Sequence, residues 1–509
     1  MSRHIGWCIP ILVLFSTSCA RIEHEAELRQ AAGGVKRATG LQPTWPEDEG
    51  PVRALPLDDS HVVSLDTALE LALVNNRALR ADLNVIGQAK ADLVQAGLLT
   101  NPVLSIMLRF PSGGGRSMFD FGVAKDFADL WLIPSKKRAA QAMLQQRILS
   151  ITDTTIALVN DVRNAYYSLQ YLALALDLQR QNQQLIREAL EIAQVLLQAG
   201  QNTQLDVNLL HSRYLETELE VLQLRSDYHT TQSTLLRLMG QALAPQEWSP
   251  TPLMLAAPWT PLATDETPFI DAALEQRLDI AAAHWERESA FADYQQQLLK
   301  FLPSLAIGVA GERTAGRALP ERKIIADTIK ASILNGAPTV PEFESPSQRR
   351  YARSQEIKFL LGPSFEVPLP IFDQNQAQVA KAQYRARELQ QRYEELEQRV
   401  MEGVRTAVTL RRLAEDRART YRDELLPLRT TNLRLAETEY QSGRESILTV
   451  LLAQEELIRT QLGYAAAVRD LAISAANLER QLAGRLPEPA VEAPASQPTT
   501  SPSVETRES

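Results

Sequence analysis

The chain has 509 residues, of which 45% are hydrophobic but only 6% aromatic, and its formal net charge is −9. This length exceeds one ordinary hydrophobic core and predicts two to four structural units, while the scarcity of aromatic residues favours helices built on Leu, Ala and Val. The acidic balance and the lack of a basic patch argue against a nucleic-acid partner.

The first residues have the pattern of a secretory signal. Arg3 and His4 precede the apolar run IGWCIPILVLF, and small residues follow. A basic start, a short apolar core and small residues before the cleavage point are typical of such signals. Residues 1–18 are therefore predicted to be a signal peptide. Because the run is short and contains Pro10, a membrane-spanning helix is not expected here.

The cysteine that follows this segment resembles the one in a bacterial lipobox. The resemblance implies that Cys19 becomes the first mature residue and carries lipid, although Ser16 departs from the Leu usual in that motif. The alternative is ordinary signal cleavage near the same place. Cys8 would leave with the signal, so a mature chain with Cys19 alone has no disulfide framework and no cysteine metal site.

The two ends of the mature chain are poor in large apolar residues. Residues 19–61 contain Gly33–Gly34 and several prolines, which favours an extended linker from the anchor to the body. Residues 484–509 are mainly Pro, Ala, Ser, Thr and Glu. Because such a segment buries too little apolar surface to offset ordering, a disordered tail is predicted.

Helical and strand patterns alternate in the first half of the body, residues 62–260. Ser64 is predicted to be the N-cap of a first helix, and the apolar spacing predicts a second helix over about 77–99. The period then changes to two in VLSIMLRF and FDFGVAKDF, which predicts a β-hairpin at about 102–128. Strands of this length and alternation suit either a transmembrane sheet or a half-exposed soluble hairpin.

A long helical hairpin follows at about 135–240. Residues 135–199 contain neither Pro nor Gly, and at about 1.5 Å per residue they would span roughly 95 Å. A helix of that length needs bundle neighbours along its whole extent. Gly200 and then Thr203 have the order of a helix C-cap followed by an N-cap, so they predict the hairpin tip.

The second half, residues 261–483, repeats this order of elements and predicts an internal two-fold duplication. A β-hairpin is expected at about 303–370, although Pro363 weakens its fourth strand, and its long loop, 314–356, contains the amphipathic run KIIADTIKASIL. A helical hairpin follows at about 374–482, with a kink expected at Pro427. Its tip, Gly443 with Ser446 as N-cap, lies 243 positions after Gly200.

Four strands are too few for a closed membrane barrel. An open sheet edge in hydrocarbon leaves backbone groups without hydrogen-bond partners. If these strands lie in a membrane, several chains must contribute to one barrel, and a closed ring would also give the long helices their neighbours.

The order of elements, the cysteine at position 19, the duplicated Gly tips and the Asn-Pro and Leu-Pro strand entries resemble the TolC family of outer-membrane efflux proteins, in its lipid-anchored branch serving RND pumps. The resemblance covers about residues 62–483. It implies an α+β membrane protein that forms a homotrimer, with a 12-stranded barrel in outer-membrane lipid (four strands per chain) continued by a long periplasmic α-helical barrel. It also implies that a periplasmic adaptor and an inner-membrane RND-type pump act at the helix tips.

The resemblance also assigns residues to the tips. It places a gate contact between Asp206 and Tyr440, a phenol donating to a carboxylate. Where the family has a basic residue after the second tip Gly, this chain has Glu445, with Arg444 beside it, and Thr449 and Leu452 replace acidic residues found in some members. The positions assigned to adaptor docking are Gly200, Thr203, Gly443 and Ser446.

The expected function is a passive exit duct for small molecules or metal ions driven by the partner pump. Two alternatives remain from the sequence: the duct of a type I protein secretion system, and a lipid-anchored periplasmic coiled-coil protein without a channel. No enzyme, cofactor or metal site is predicted, because the histidines on the predicted helices, such as His211, His229 and His284, have no partners at ligand spacing.

Overall fold

The structure is a computed structural model. It describes residues 22–45, 52–56, 61–110, 117–241, 248–255, 262, 265–313, 324–340, 347 and 359–484. The predicted signal peptide, Cys19 and all but the first residue of the predicted tail lie outside the described residues, as does much of the loop 314–356.

The chain forms two compact units. The first comprises Met1–Lys90, Leu144–Trp285 and Gln390–Ser509, and the second comprises Ala91–Met143 and Glu286–Leu389.

The helices are α1 (Glu25–Thr39), α2 (Leu65–Asn75), α3 (Arg77–Ala96), α4 (Asp129–Gln198), α5 (Gln204–Leu238), α6 (Thr267–Gln276), α7 (Leu278–Leu299), α8 (Ile324–Asn335), α9 (Gln376–Thr420), α10 (Leu426–Gln441) and α11 (Ile447–Gln481). The strands are β1 (Val62–Val63), β2 (Val103–Arg109), β3 (Met118–Asp126), β4 (Ser249–Pro250), β5 (Ala306–Arg313) and β6 (Leu360–Glu366).

The two long helical hairpins have the predicted positions. Helix α4 contains 70 residues, which corresponds to about 105 Å. It begins at Asp129, earlier than the predicted start at about 135, because the Leu132 N–H already donates to the Ala128 carbonyl at 3.2 Å before Pro134 is reached. Helix α8 coincides with the amphipathic run predicted inside the loop. Within the part of the chain that the structure describes, no helix is long and apolar enough to span a membrane.

The irregularity near Pro427 is a π-helical turn rather than a simple kink. Residues Tyr421–Leu425 form this turn between α9 and α10. Proline has no N–H to donate to the carbonyl four residues earlier, and its ring clashes with that carbonyl. The wider π turn, with its extra residue, accommodates the proline without breaking the helix. The predicted single helix is therefore divided into two just before the proline.

The prediction of an extended linker at 19–61 was wrong for its central part. Helix α1 forms there because Leu28, Ala31 and Val35 make one buried face. Gly34, which suggested a linker, allows a close helix contact instead, since a Cβ there would lie 2.7 Å from the Thr152 Cγ2. Gly40 adopts a left-handed C-cap with φ of 77°, and the small residues of this segment therefore serve packing and capping.

The chain after α1 is also attached to the body. Asn75 at the end of α2 accepts a hydrogen bond from the Arg53 N–H and donates one to the Arg53 carbonyl, both at 2.8 Å. Val62 pairs with Ser249 in a short parallel ladder between β1 and β4, which the sequence patterns did not indicate.

The second unit contains a four-stranded antiparallel sheet with the order β2-β3-β5-β6. Both predicted β-hairpins are confirmed, and they pair with each other through β3 and β5. Pro363 lies in β6 opposite Val309. In the single chain β6 is an edge strand of this sheet, a position at which proline is tolerated.

The sheet has two chemically different faces. One register row contains Leu104, Val123, Val309 and Pro363, and the next row on that face contains Ile106, Phe121, Gly311 and Leu361. The opposite face is less apolar. One of its rows contains Ser105, Gly122, Ala310 and Gly362, and the next contains the acidic Asp120 and Glu312 between Met107 and Leu360. Leu104 and Ile106 are 63% and 59% exposed. The apolar face is therefore uncovered in the single chain.

Gly311 permits an aromatic contact across the apolar face. Phe121 and Phe359 stack above it with ring centroids 5.6 Å apart, and a Cβ at position 311 would lie 2.6 Å from the Phe121 Cζ. We expect Gly311→Ala to lower the stability of the sheet by about 1–3 kcal/mol, because the rings must move to admit the methyl group. Thermal unfolding of the detergent-purified protein, followed by circular dichroism, measures this change.

Gly362→Ala is the matched control in the neighbouring strand, because a Cβ there would meet no atom within 4 Å. The control should melt close to the wild type. Equal melting temperatures for Gly311→Ala and Gly362→Ala would contradict the packing argument.

Candidate functional site

The first hairpin tip is held by two local motifs. Gly200 has φ of 72°, and its N–H donates to the Leu197 carbonyl at 3.0 Å. Thr203 is the N-cap of α5 and forms a capping box with Asp206. The Thr203 hydroxyl and N–H donate to the Asp206 Oδ2 at 2.6 and 3.1 Å. These bonds hold the pKa of the Asp206 carboxyl below its ordinary value, so this group is an anion at neutral pH.

The second tip has the same backbone turn with different side-chain contacts. Gly443 has φ of 72°, and its N–H donates to the Tyr440 carbonyl at 2.9 Å. Ser446 occupies the predicted N-cap position in an extended conformation, but its side chain makes no capping hydrogen bond. The first tip is therefore capped by a side chain and the second is not.

The two charged residues beside Gly443 contact neighbours on their own tip. Arg444 pairs with Glu439 at 3.5 Å, and Glu445 accepts a hydrogen bond from the Thr449 hydroxyl at 2.9 Å. Neither residue is paired with Asp206. Within one chain, they stabilise the tip rather than joining the two hairpins.

The structure brings Asp206 and Tyr440 to one cavity between the hairpins in the first unit. This cavity has a volume of about 810 Å³, and Ser446 also lines it. Its walls include apolar side chains of α4 and α11, such as Leu185 and Leu451. Among the described residues, no hydrogen bond joins Asp206 to Tyr440, whose side chain is 45% exposed. The tyrosine hydroxyl therefore remains available to a neighbouring chain.

Sequence reasoning missed the charged residues higher in this cavity. Arg213 on α5 lies 3.7 Å from Glu455 on α11, so an ion pair connects the two hairpins. A signal for it was present in the duplicated pattern, because the offset of 243 residues places Arg213 opposite Glu456, the neighbour of Glu455. Opposite charges at equal distances from the two tips can meet when the hairpins lie side by side.

The described residues contain no group of three or more His, Cys, Asp or Glu side chains that could hold a metal ion.

Two long helical hairpins with glycine tips, joined to an antiparallel sheet that has one apolar face, define the architecture of an outer-membrane channel subunit. A family model described as outer membrane efflux protein matches residues 133–241 and 269–484. The chain belongs to this family, which is a family of transport proteins.

One named relative and two solved structures are similar to this chain. The chain is 25% identical over 432 residues to the pyoverdine export outer membrane protein OpmQ of Pseudomonas putida, covering 78% of this chain and 81% of the relative. A membrane protein from Pseudomonas aeruginosa has the same fold with a TM-score of 0.65, at 20% identity over 86% of this chain and 98% of that one. The MtrE outer membrane channel of Neisseria gonorrhoeae, solved in its open state, has a TM-score of 0.63, at 16% identity over 86% of this chain and 93% of that one.

Proposed function

We propose that this chain is the outer-membrane exit duct of a tripartite efflux system. In this proposal three copies form one channel, a periplasmic adaptor binds the helix tips, and an inner-membrane RND-type pump supplies the energy. The duct itself is passive. The name of the relative OpmQ, an exporter of pyoverdine, supports a small-molecule cargo, and the pump determines which one.

The observation that carries this proposal is the four-stranded sheet, whose two edges have no strand partner among the described residues. Strands β2 and β6 are its edges, and its apolar face exposes large side chains such as Leu104 and Phe365, the latter 67% exposed. Lipid can cover that face, but backbone groups at the edges need strand partners. Three sheets placed edge to edge give twelve strands and leave no free edge, so a shared barrel satisfies both requirements.

The helices support the same assembly. Helix α5 carries a series of leucines that stay between 46% and 67% exposed in the described single chain, namely Leu205, Leu209, Leu215, Leu219 and Leu222. A surface helix with this much uncovered apolar area needs a neighbour along its length. Adjacent copies in a ring would supply that neighbour and would form a periplasmic α-helical barrel.

The remaining assignments complete this proposal. Residues 1–18 direct export, Cys19 carries the lipid anchor, and residues 62–260 and 261–483 are duplicated halves that each contribute one β-hairpin and one helical hairpin. The tip residues Gly200, Thr203, Gly443 and Ser446 face the adaptor. Asp206 and Tyr440 of adjacent hairpins hold the periplasmic end closed, and Arg444 and Glu445 shape the second tip.

Single-channel recording in planar lipid bilayers tests the proposed duct. The detergent-extracted wild-type protein, shown to be trimeric by its mass, is expected to insert and give discrete, low-conductance steps, because its tips rest closed without the pump. A trimeric sample that gives no steps across a range of lipid compositions and voltages would overturn the proposal.

A further inference from the structure

Helix α8 lies in the long segment that connects β5 to β6. The two strands are antiparallel, so the chain enters β5 from α7 and leaves β6 toward α9 at one end of the sheet. The segment that contains α8 connects the strands at the other end. In the proposed channel the long helices are periplasmic, so α8 belongs to the external end of the sheet.

The chain that follows α8 is attached to one side of the helix. Gly336 ends the helix with φ of 67°. The Thr339 N–H then donates to the Ser332 Oγ at 2.9 Å, and the Thr339 hydroxyl donates to the Thr328 carbonyl at 3.3 Å. Thr328 and Ser332 are four positions apart and share a helix face. The returning chain therefore covers this polar side of α8.

The large apolar side chains on another side of α8 are uncovered. Ile329 and Ile333 also share a face, because they are four positions apart, and they are 55% and 75% exposed. Leu334 is 77% exposed. We call Ile329, Ile333 and Leu334 the α8 patch. Exposed apolar patches mark surfaces that bind protein or lipid, and a helix of 12 residues is too short to span a bilayer.

The sheet carries aromatic and basic residues at the end where this segment leaves it. Phe119 lies opposite Arg313, the last residue of β5, in the final row of the β3–β5 ladder. Phe359, just before β6, is 47% exposed and stacks on Phe121 of the apolar face. Aromatic bands with long basic side chains beside them lie at the headgroup level of transmembrane sheets. Arg313 and Phe359 flank the segment that contains α8, so this segment leaves the sheet at that level.

The charge of the segment distinguishes a lipid surface from a second copy of this acidic chain. Residues 314–358 contain eight Lys or Arg residues against five Asp or Glu residues, whereas the whole chain has a net charge of −9. A basic segment is attracted to anionic lipid and repelled by its own copy. Amphipathic helices bind membrane surfaces through this attraction together with the burial of their apolar face.

We propose that α8 is an interfacial helix whose patch of Ile329, Ile333 and Leu334 inserts into the anionic outer leaflet beside the barrel. This inference rests on the proposed function, because it requires the sheet to lie in the outer membrane. A helix in this position buries its apolar face about 5–10 Å into the boundary between headgroups and acyl chains. The β5–β6 connection is thereby tied to the lipid surface.

Fluorescence quenching by lipid tests the position of α8. The full-length Ile333→Cys trimer is labelled with an environment-sensitive thiol dye and reconstituted in vesicles of phosphatidylethanolamine and phosphatidylglycerol. With a nitroxide on the acyl chains of added phosphatidylcholine, the dye should lose about half of its fluorescence or more. Asn335→Cys is the matched control, because Asn335 is exposed and lies about 200° around the helix from position 333. Its dye should lose little fluorescence.

Two further samples provide the references. The unsubstituted chain, treated with the same dye, measures any label at Cys19. Leu104→Cys places the dye on the apolar face of the sheet, at a residue that is 63% exposed. Its quenching reports whether the sheet lies in the bilayer, and so tests the proposed function separately from α8.

The outcomes separate the interfacial helix from the channel. Quenching at positions 104 and 333, but not at 335, would support the interfacial helix. Quenching at 104 with none at 333 would overturn it and leave the channel in place; dye emission at 333 would then show whether water or a protein surface, such as a second copy, surrounds the patch. Equal quenching at 333 and 335 would also overturn it, because no single face would then be turned to lipid. Without quenching at 104 the proposed function fails, and the interfacial helix fails with it.

Discussion

The double substitution Asp206→Ala/Tyr440→Phe is expected to raise single-channel conductance at least ten-fold above that of the wild type. The hydroxyl of Tyr440 can donate to the Asp206 carboxylate of an adjacent hairpin, and a hydrogen bond to a charged group contributes about 1.5–3 kcal/mol. The proposed trimer would contain three such contacts, so their loss would shift the population strongly toward open tips. Planar bilayer recording of the purified trimers measures the change.

Asp206 also caps its own helix, and this second role needs a separate control. Thr203→Ala removes the hydroxyl of the capping box while it leaves the Asp206 carboxylate in place. Tyr440→Phe alone removes the proposed gate contact and leaves the cap intact. We expect a raised conductance for Tyr440→Phe and little change for Thr203→Ala. A raised conductance for Thr203→Ala with little change for Tyr440→Phe would show that helix capping, and not a contact between hairpins, keeps the tips closed.

Removal of Glu415 is expected to cause the largest loss of stability of any single substitution considered. Glu415 and Arg411 are both 4% exposed, and their side chains approach to 3.3 Å on α9. Burial lowers the pKa of the Arg411 guanidinium, while the neighbouring carboxylate opposes that change. Without Glu415 the arginine would be a buried charge without a counterion on its own helix. Such losses amount to about 3–5 kcal/mol.

Thermal unfolding of the purified protein measures this effect. Glu415→Ala should lower Tm by about 3–5 °C for a chain of this size. Glu395→Ala is the control on the same helix, because its pair with Arg399 is 55% and 67% exposed, and exposed pairs contribute about 0–1 kcal/mol. Arg411→Leu/Glu415→Leu should recover most of the stability, since it removes both charges. A Tm for Glu415→Ala equal to that of Glu395→Ala would contradict the buried-charge argument.

Helices and strands whose apolar residues recur at a constant spacing were predictable from the sequence. From residue 135 onward α4 carries an uninterrupted helical pattern, and most positions of β2 and β3 alternate between large apolar and small or polar side chains. Local chemistry and tertiary packing therefore favour the same structure in these elements. The tips were predictable for a related reason: a left-handed residue such as Gly200 followed by a capping residue such as Thr203 has few structural interpretations.

Features that depend on contacts distant in sequence were not predictable. Gly33–Gly34 suggested a linker, because nothing local shows that Gly34 will pack against Thr152. The pairing of β1 with β4 joins segments almost 190 residues apart. The Arg213–Glu455 pair was missed because only the comparison of the two duplicated halves, and not the periodicity within either hairpin, indicates it. The assignment of Asp206 and Tyr440 to a gate came from family resemblance and stays a prediction.

Electron cryomicroscopy of the wild-type protein in lipid nanodiscs tests the central claim most directly. We expect three chains around one pore, with β2 of each chain paired to β6 of the next. Twelve strands should close in the bilayer, with the face that carries Leu104, Ile106 and Phe121 turned toward lipid. A sheet that lies outside the bilayer, or four strands that close within a single chain, would contradict it.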